Sequence, residues 1–178
     1  MASAPDSAKS PLVHRGLDPQ VNEEACLLVL GSFPGRASLH AGQYYGHPQN
    51  QFWRLLNEVL EVPLTASSYA HRLALLQSKG VGLWDVITSA QREGSLDSAI
   101  REHEVSDLHS LLDHLPNLRV IAFNGGTAAR IGRKQLGVRG DSFRLVDLPS
   151  SSPAYTLAFD AKLARWMELR EKENKEQD

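Results

Sequence analysis

The sequence predicts an α/β protein: a three-layer α/β/α sandwich on a central four-stranded parallel sheet. Four apolar runs (26–30, 80–86, 118–123 and 143–148) are separated by segments with helical periodicity. The order is strand, helices, strand, helix, strand, helix, strand, helix, as expected of crossovers that cover both faces of a parallel sheet. Each run also ends in a polar or turn-forming loop, and the carboxyl ends of strands are where ligands bind in open α/β sheets.

The elements follow in order. Residues 1–20 are rich in Ser, Ala and Pro and lack periodicity, so they read as a largely disordered tail. A single domain is expected over 21–172, and the last residues, 173–178, are a charged tail. Cys26–Leu30 is a buried strand, ending in Gly31-Ser32-Phe33-Pro34-Gly35, a sharply turned loop. Residues 51–61 form a helix with Phe52, Leu55, Leu56 and Val59 on one stripe. Asn50 stands just before it and can serve as its N-cap. Ser67 or Ser68 caps a second helix reaching Ser78. Gly80–Val86 is the second strand. Thr88–Ile100 lacks helical periodicity at first, then offers Ser95 as the cap of a short turn; the polar Arg92, Glu93 and Asp97 place this loop at the border of the same cleft. Asp107–Leu115 is a short helix ended by Pro116-Asn117. Leu118–Phe123 is the third strand. It leads through Asn124-Gly125-Gly126 into a helix, whose backbone N–H groups would face the cleft. Asn124 can equally be a turn former. Phe143–Leu148 is the fourth strand. The last helix spans 157–172, with Leu163, Trp166, Met167 and Leu169 as its apolar positions.

Composition excludes several classes. The chain has 178 residues, 42% hydrophobic and 22% charged, values of an ordinary globular domain. Its single cysteine, Cys26, can make neither an internal disulfide nor an iron–sulfur or zinc–thiolate site, and a reducing, intracellular setting follows. No apolar run reaches the ~18 residues of a membrane span, and residues 1–11 carry no signal-peptide core. His40, His47 and Asp85 are scattered, and no helix has a His-x-x-x-His pair, so no metal is expected. A Gly-x-Ser-x-Gly elbow and a phosphate-loop Lys-Ser/Thr signature are both missing. Net charge is −2, against bulk capture of nucleic acid. Yet Arg119, Arg130, Arg133, Lys134 and Arg139 fall in a stretch, 114–140, without an acidic residue. Such a stretch is either a phosphate-binding face or a solvated helix face.

The chemistry concentrates in residues 27–53, LLVLGSFPGRASLHAGQYYGHPQNQFW. Tyr44, Tyr45, His47, Asn50, Phe52 and Trp53 fall within ten residues, a mixture of rings and neutral polar groups suited to a flat heterocycle. Phe52 and Trp53 are read as helix core. The remaining polar groups at strand ends, Ser32, Asn124 and Ser150–Ser152, are also neutral. An enzyme that excises a base needs this set. The nucleotide leaves the duplex for a pocket, and Tyr45 or Phe33 can stack on it. An amide both donates and accepts in one plane, matching the O6 and N1–H edge of hypoxanthine. Donors aimed at the departing base and an oriented water lower the barrier to glycosidic scission. The small residues of 149–154 allow close approach to a phosphodiester backbone, although a connecting loop needs no more than the same residues.

These motifs resemble those of the uracil-DNA glycosylase superfamily, and most closely its hypoxanthine-DNA glycosylase branch, the DNA-deoxyinosine glycosylases of family 6. The resemblance covers about 27–160 and rests on GSFPG, YYGHPQNQFW, GLWDV with REGSLDSAI, FNGGTA and LPSSSPAYT, in that order. It implies a four-stranded parallel sheet between helix layers and a monofunctional glycosylase that needs no cofactor and leaves an abasic site. By similarity Asn50 is the principal catalytic residue and Asn124 the second. Gly31, Ser32, Phe33, Tyr45 and His47 would bind the base. Pro149, Ser150, Ser151, Ser152 and Pro153, with Arg130, would contact DNA. The partner implied is DNA carrying a damaged base, met by a monomer without an obligatory protein partner or membrane, in the cytoplasm. Mismatch-specific uracil enzymes place Asn where this chain has Phe33. Other uracil enzymes place Asp after a Gly-Gln that is missing here, and His or Asn where this chain has Leu148. Hypoxanthine is therefore expected over uracil. The competing readings are a uracil or mismatch glycosylase, a non-catalytic nucleic-acid binder, and a hydrolase of free nucleosides.

Overall fold

A computed structural model describes residues 12–92 and 100–170. Four strands form a parallel sheet: β2 (Leu27–Gly31), β3 (Val81–Asp85), β6 (Val120–Asn124) and β7 (Arg144–Leu148), in the spatial order β3-β2-β6-β7. The registers are in step, Leu27 beside Val81 and Val120, and Val120 beside Arg144. All four strands therefore end at one edge.

Side chains alternate across this sheet with period two. Leu28, Leu30, Ile121 and Phe123 point into one core, shared with α4 (Leu108–Leu112) and α5 (Gly126–Leu136). Val29, Ala122 and Val146 point into the other, shared with α2 (Phe52–Leu60), α3 (Tyr69–Ser78) and α6 (Phe159–Trp166). Helices on both faces make the three layers. They also explain why the central strands are apolar at every position instead of every second one. Ser68 caps α3 by accepting from the His71 N–H, and Asp107 caps α4 by accepting from Ser110.

The strand order reverses between β2 and β6. The chain leaves β2 toward β3 on one side, and leaves β6 toward β7 on the other. A crevice opens between the carboxyl ends of β2 and β6, the expected place for a ligand.

Four features depart from the sequence reading. Thr88–Ile100 was expected as a loop with a short turn, but β4 (Ile87–Arg92) and β5 (Ile100–Val105) pair antiparallel. Two register shifts along this pair break the strict polar–apolar alternation by which a strand is recognised. Ser95, Glu93 and Asp97 lie outside the described residues. Val13–Arg15, inside the expected tail, form β1 and add to β4, giving a second sheet of order β1-β4-β5. Gln20 then exchanges two backbone hydrogen bonds with Leu83, covering the outer edge of β3. The GRASLHA stretch folds as a short helix, α1 (Arg36–Ala41), with Gly42 in the left-handed region closing it. The last helix begins at Phe159 and passes into a 3-10 turn over Met167–Arg170. Among the described residues no helix is long and apolar enough to cross a membrane.

Candidate active site

The crevice is a cleft of about 430 Å³. Its walls come from the loop after β2, the loop entering α2, the ends of β3 and β6, and the loop after β7. Asn50, Asn124, Gly31, Ser32, Phe33, Tyr45, His47 and residues 150–153 all line it, although they are spread over more than a hundred positions of the chain.

Three hydrogen-bonding groups form its centre. Asn124, at the last position of β6, is only 9% exposed. Its Oδ1 accepts from the Ser151 N–H at 2.9 Å and its Nδ2 donates to Ser151 Oγ at 2.9 Å. Ser151 Oγ in turn donates to Asn50 Oδ1 at 2.9 Å. Asn50 Oδ1 also accepts from the Phe52 N–H at 3.0 Å. Asn50 thus satisfies an orphan N–H of the first turn of α2, as expected of a cap. The N-cap position itself falls on Gln51, and Gln51 N donates to the Ser151 carbonyl at 3.0 Å. Asn124 does not cap α5: the N-cap is Gly125, at φ 100°, and the amide is engaged with Ser151.

Rings and small residues shape the rest. Tyr45 adopts a left-handed backbone, φ 53°, and its ring stacks on Phe52 at 3.7 Å and 17°. A bulky residue held there is strained, and the surrounding packing must hold it. Phe33 is 6% exposed and belongs largely to the core. Tyr45 is the more accessible ring for stacking. Gly31 is required by space: a Cβ there would meet Asp85 Oδ1 at 2.5 Å and the Tyr45 hydroxyl at 2.9 Å. His47 is exposed, and its Nδ1 accepts from the Gln49 N–H at 3.1 Å. Tyr44 is a largely buried part of the same wall, its hydroxyl donating to the Asp18 carbonyl at 2.8 Å. Burial first, and the nearby Asp85 second, push its ionisation far above the ordinary tyrosine range.

Sequence reasoning missed one participant, Asp85, and gave another, Ser151, a different place. Asp85, the last residue of β3, lines the cleft while only 5% exposed. A charged residue ending an apolar strand was the available signal. Ser151 was expected at DNA phosphates. It is 1% exposed and its hydroxyl is spent between the two asparagines, so it belongs to the interior of the site.

The outer loop fits a phosphate more closely. The carbonyls of Pro149, Ser151 and Ser152 are turned inward onto Trp166 Nε1, Gln51 N and Lys162 Nζ. Ser150 Oγ and Ser152 Oγ accept from the N–H groups of Ser152 and Ala154, which leaves their protons available to an acceptor. Lys162, 1% exposed, has its pKa lowered by burial.

The expected basic face is reduced. Arg133 pairs with Asp147 at 3.0 Å and Arg139 with Asp113 at 2.7 Å. The acids come from outside the basic stretch, which is why that stretch looked uncompensated. Arg119 precedes β6 and so sits toward the opposite end of the sheet from the cleft. Arg130 and Lys134 remain exposed, one turn apart on α5. Among the described residues no three His, Cys, Asp or Glu side chains gather closely enough to hold a metal.

A sequence model of the family described as the uracil DNA glycosylase superfamily matches residues 19–173. A hypoxanthine DNA glycosylase of Methanosarcina barkeri is 36% identical over 154 residues, covering 86% of this chain and 96% of the relative. A hypoxanthine DNA glycosylase of Methanosarcina acetivorans is 38% identical over 143 residues, covering 80% of this chain and 89% of the relative. The solution NMR structure of a Methanosarcina acetivorans protein, described as a candidate uracil DNA glycosylase, superposes with a TM-score of 0.78 at 35% identity. That superposition covers 89% of this chain and 96% of the other.

Proposed function

The chain belongs to the uracil DNA glycosylase superfamily, and from that premise we propose that it excises a deaminated base, chiefly hypoxanthine, from DNA. The observation that carries this reading is the bridge of Asn50, Ser151 and Asn124 across a cleft walled by Tyr45. Both relatives above 35% identity are named for hypoxanthine. The Asn that mismatch-specific uracil enzymes carry in the first loop is Phe33 here.

The target nucleotide leaves the stack and its base enters the cleft against Tyr45. Ser150 and Ser152, with Pro149, Pro153 and Arg130, hold the flanking phosphates. The C1′–N9 bond breaks with its electron pair passing to the base. A water oxygen bonds to C1′, the water's proton is released, and the base leaves protonated from an abasic site. Developing charge on the base is met by amide donors already in place, which is where fixed dipoles stabilise a transition state most. The partner is damaged DNA, met by a monomer without an obligatory protein partner. The enzyme works in the cytoplasm, and its chemistry uses no cofactor.

The test uses end-labelled duplexes carrying one deoxyinosine or one deoxyuridine, incubated in EDTA and then treated with mild alkali. Strand breaks at deoxyinosine are expected. Breaks mainly at deoxyuridine would move the substrate to uracil. Cleavage of free inosine with intact oligonucleotides would replace the reading by a nucleoside hydrolase.

A further inference from the structure

We infer that Asn50 serves the reaction as a hydrogen-bond donor, and that Ser151 is the positioning residue that fixes this polarity. The inference rests on the glycosylase reading and adds the direction in which Asn50 acts.

The argument follows from which atoms can only donate. A backbone N–H cannot accept, so the Ser151 N–H fixes Oδ1 as the Asn124 atom facing it. That orientation turns Asn124 Nδ2 to the Ser151 hydroxyl, where it donates. The Ser151 oxygen is then an acceptor on that side, and its own proton is free to go elsewhere. It goes to Asn50 Oδ1. The Phe52 N–H, likewise donor only, reaches the same oxygen. An amide oxygen has two lone pairs, and both are now used. What Asn50 has left for the cleft is its NH2 group.

The consequence is chemical. An Asn50 whose carbonyl is saturated cannot accept a proton from the attacking water, so it cannot orient that water as an acceptor. Its N–H groups suit an atom that becomes negative, and in glycosidic scission that atom is on the departing base. The chain of donors, from the Ser151 N–H through Asn124 and the Ser151 hydroxyl to Asn50, runs in one direction. Hydrogen bonds in such a chain polarise one another, which strengthens the last donor. Rotating the Asn50 amide by half a turn would set its NH2 against the Phe52 N–H and the Ser151 proton, so the arrangement has one stable sense.

Substitution distinguishes donor from acceptor. Asn50→Asp keeps an oxygen for Phe52 and Ser151 but presents a second oxygen where the N–H was. Asn50→Ala removes both functions. Single-turnover rates on a deoxyinosine duplex at saturating enzyme are measured for wild type, both Asn50 variants and Ser151→Ala. Asn50→Asp should be no faster than Asn50→Ala, each down about 100-fold or more, the cost of losing one preorganised donor. Ser151→Ala should lose about tenfold, the equivalent of one neutral hydrogen bond. Its affinity for a duplex carrying uncleavable 2′-fluoro-deoxyinosine should be unchanged, and that split separates positioning from folding. Asn50→Asp faster than Asn50→Ala would overturn the inference by showing an acceptor at work. So would Ser151→Ala at the wild-type rate with its thermal transition preserved. A wild type that cuts no deoxyinosine would instead remove the substrate reading, and the inference with it.

Discussion

The cleft is demanding at single atoms. Gly31 has no room for a Cβ, because Asp85 Oδ1 and the Tyr45 hydroxyl already stand at 2.5 and 2.9 Å from where it would be. Gly31→Ala should therefore displace Asp85 or Tyr45 and destabilise the fold by about 1–3 kcal/mol, the usual cost of overpacking. Chemical denaturation would read this, and activity should fall further than stability does. The sequence made Asn50, Asn124 and Tyr45 visible because their chemistry is unusual beside apolar strands. It could not make the role of Ser151 visible. Ser151 meets Asn124 and Asn50 across separations of 27 and 101 residues, and no local spacing encodes such a contact. A run of three serines reads as a small-residue, phosphate-facing loop, although only the middle one is buried.

At the scale of elements, the apolar runs located all four strands of the parallel sheet, because strands covered on both faces need continuous hydrophobicity. The same criterion missed β4 and β5, whose register shifts twice. The loop after β7 shows how packing substitutes for local rigidity. Trp166 and Lys162, both on α6, hold the Pro149 and Ser152 carbonyls at 2.9 and 3.2 Å. Lys162→Met keeps the volume and removes the second anchor. Loss of a charged hydrogen bond is of the order of a tenfold effect, expected here in KM for duplex substrate with kcat changed less. Steady-state kinetics would check it, and a change confined to kcat would place Lys162 elsewhere in the mechanism.

For the whole molecule, charge is distributed more evenly than the sequence suggests. With Arg133 and Arg139 paired to carboxylates, Arg130 and Lys134 are the cations of the basic stretch left for DNA on α5. The logarithm of the DNA association constant should fall against the logarithm of salt with a shallow slope, about −2 for two phosphates. Fluorescence anisotropy over a salt series would measure it, and a slope several times steeper would require a wider basic surface. Alkaline stability tests the core behind the cleft. Tyr44 and Tyr69 are both raised above the ordinary value of 10.0 by burial. The folded state then holds protons that the unfolded state releases. Their contribution is complete below the unfolded value and is lost as pH rises above about 10. Thermal melting between pH 8 and 11.5 should show a transition that falls only in the upper part of that range. Tyr44→Phe should lessen the fall.

The central claim is that the polar cleft at the carboxyl ends of β2 and β6 excises a base through Asn50. The measurement that tests it most directly pairs cleavage with binding for wild type and Asn50→Ala on one deoxyinosine duplex, in EDTA. The account predicts abasic sites with wild type, a rate lower by about two to three orders of magnitude for Asn50→Ala, and equal affinity of both for the duplex carrying 2′-fluoro-deoxyinosine. Excision by Asn50→Ala at the wild-type rate would contradict it.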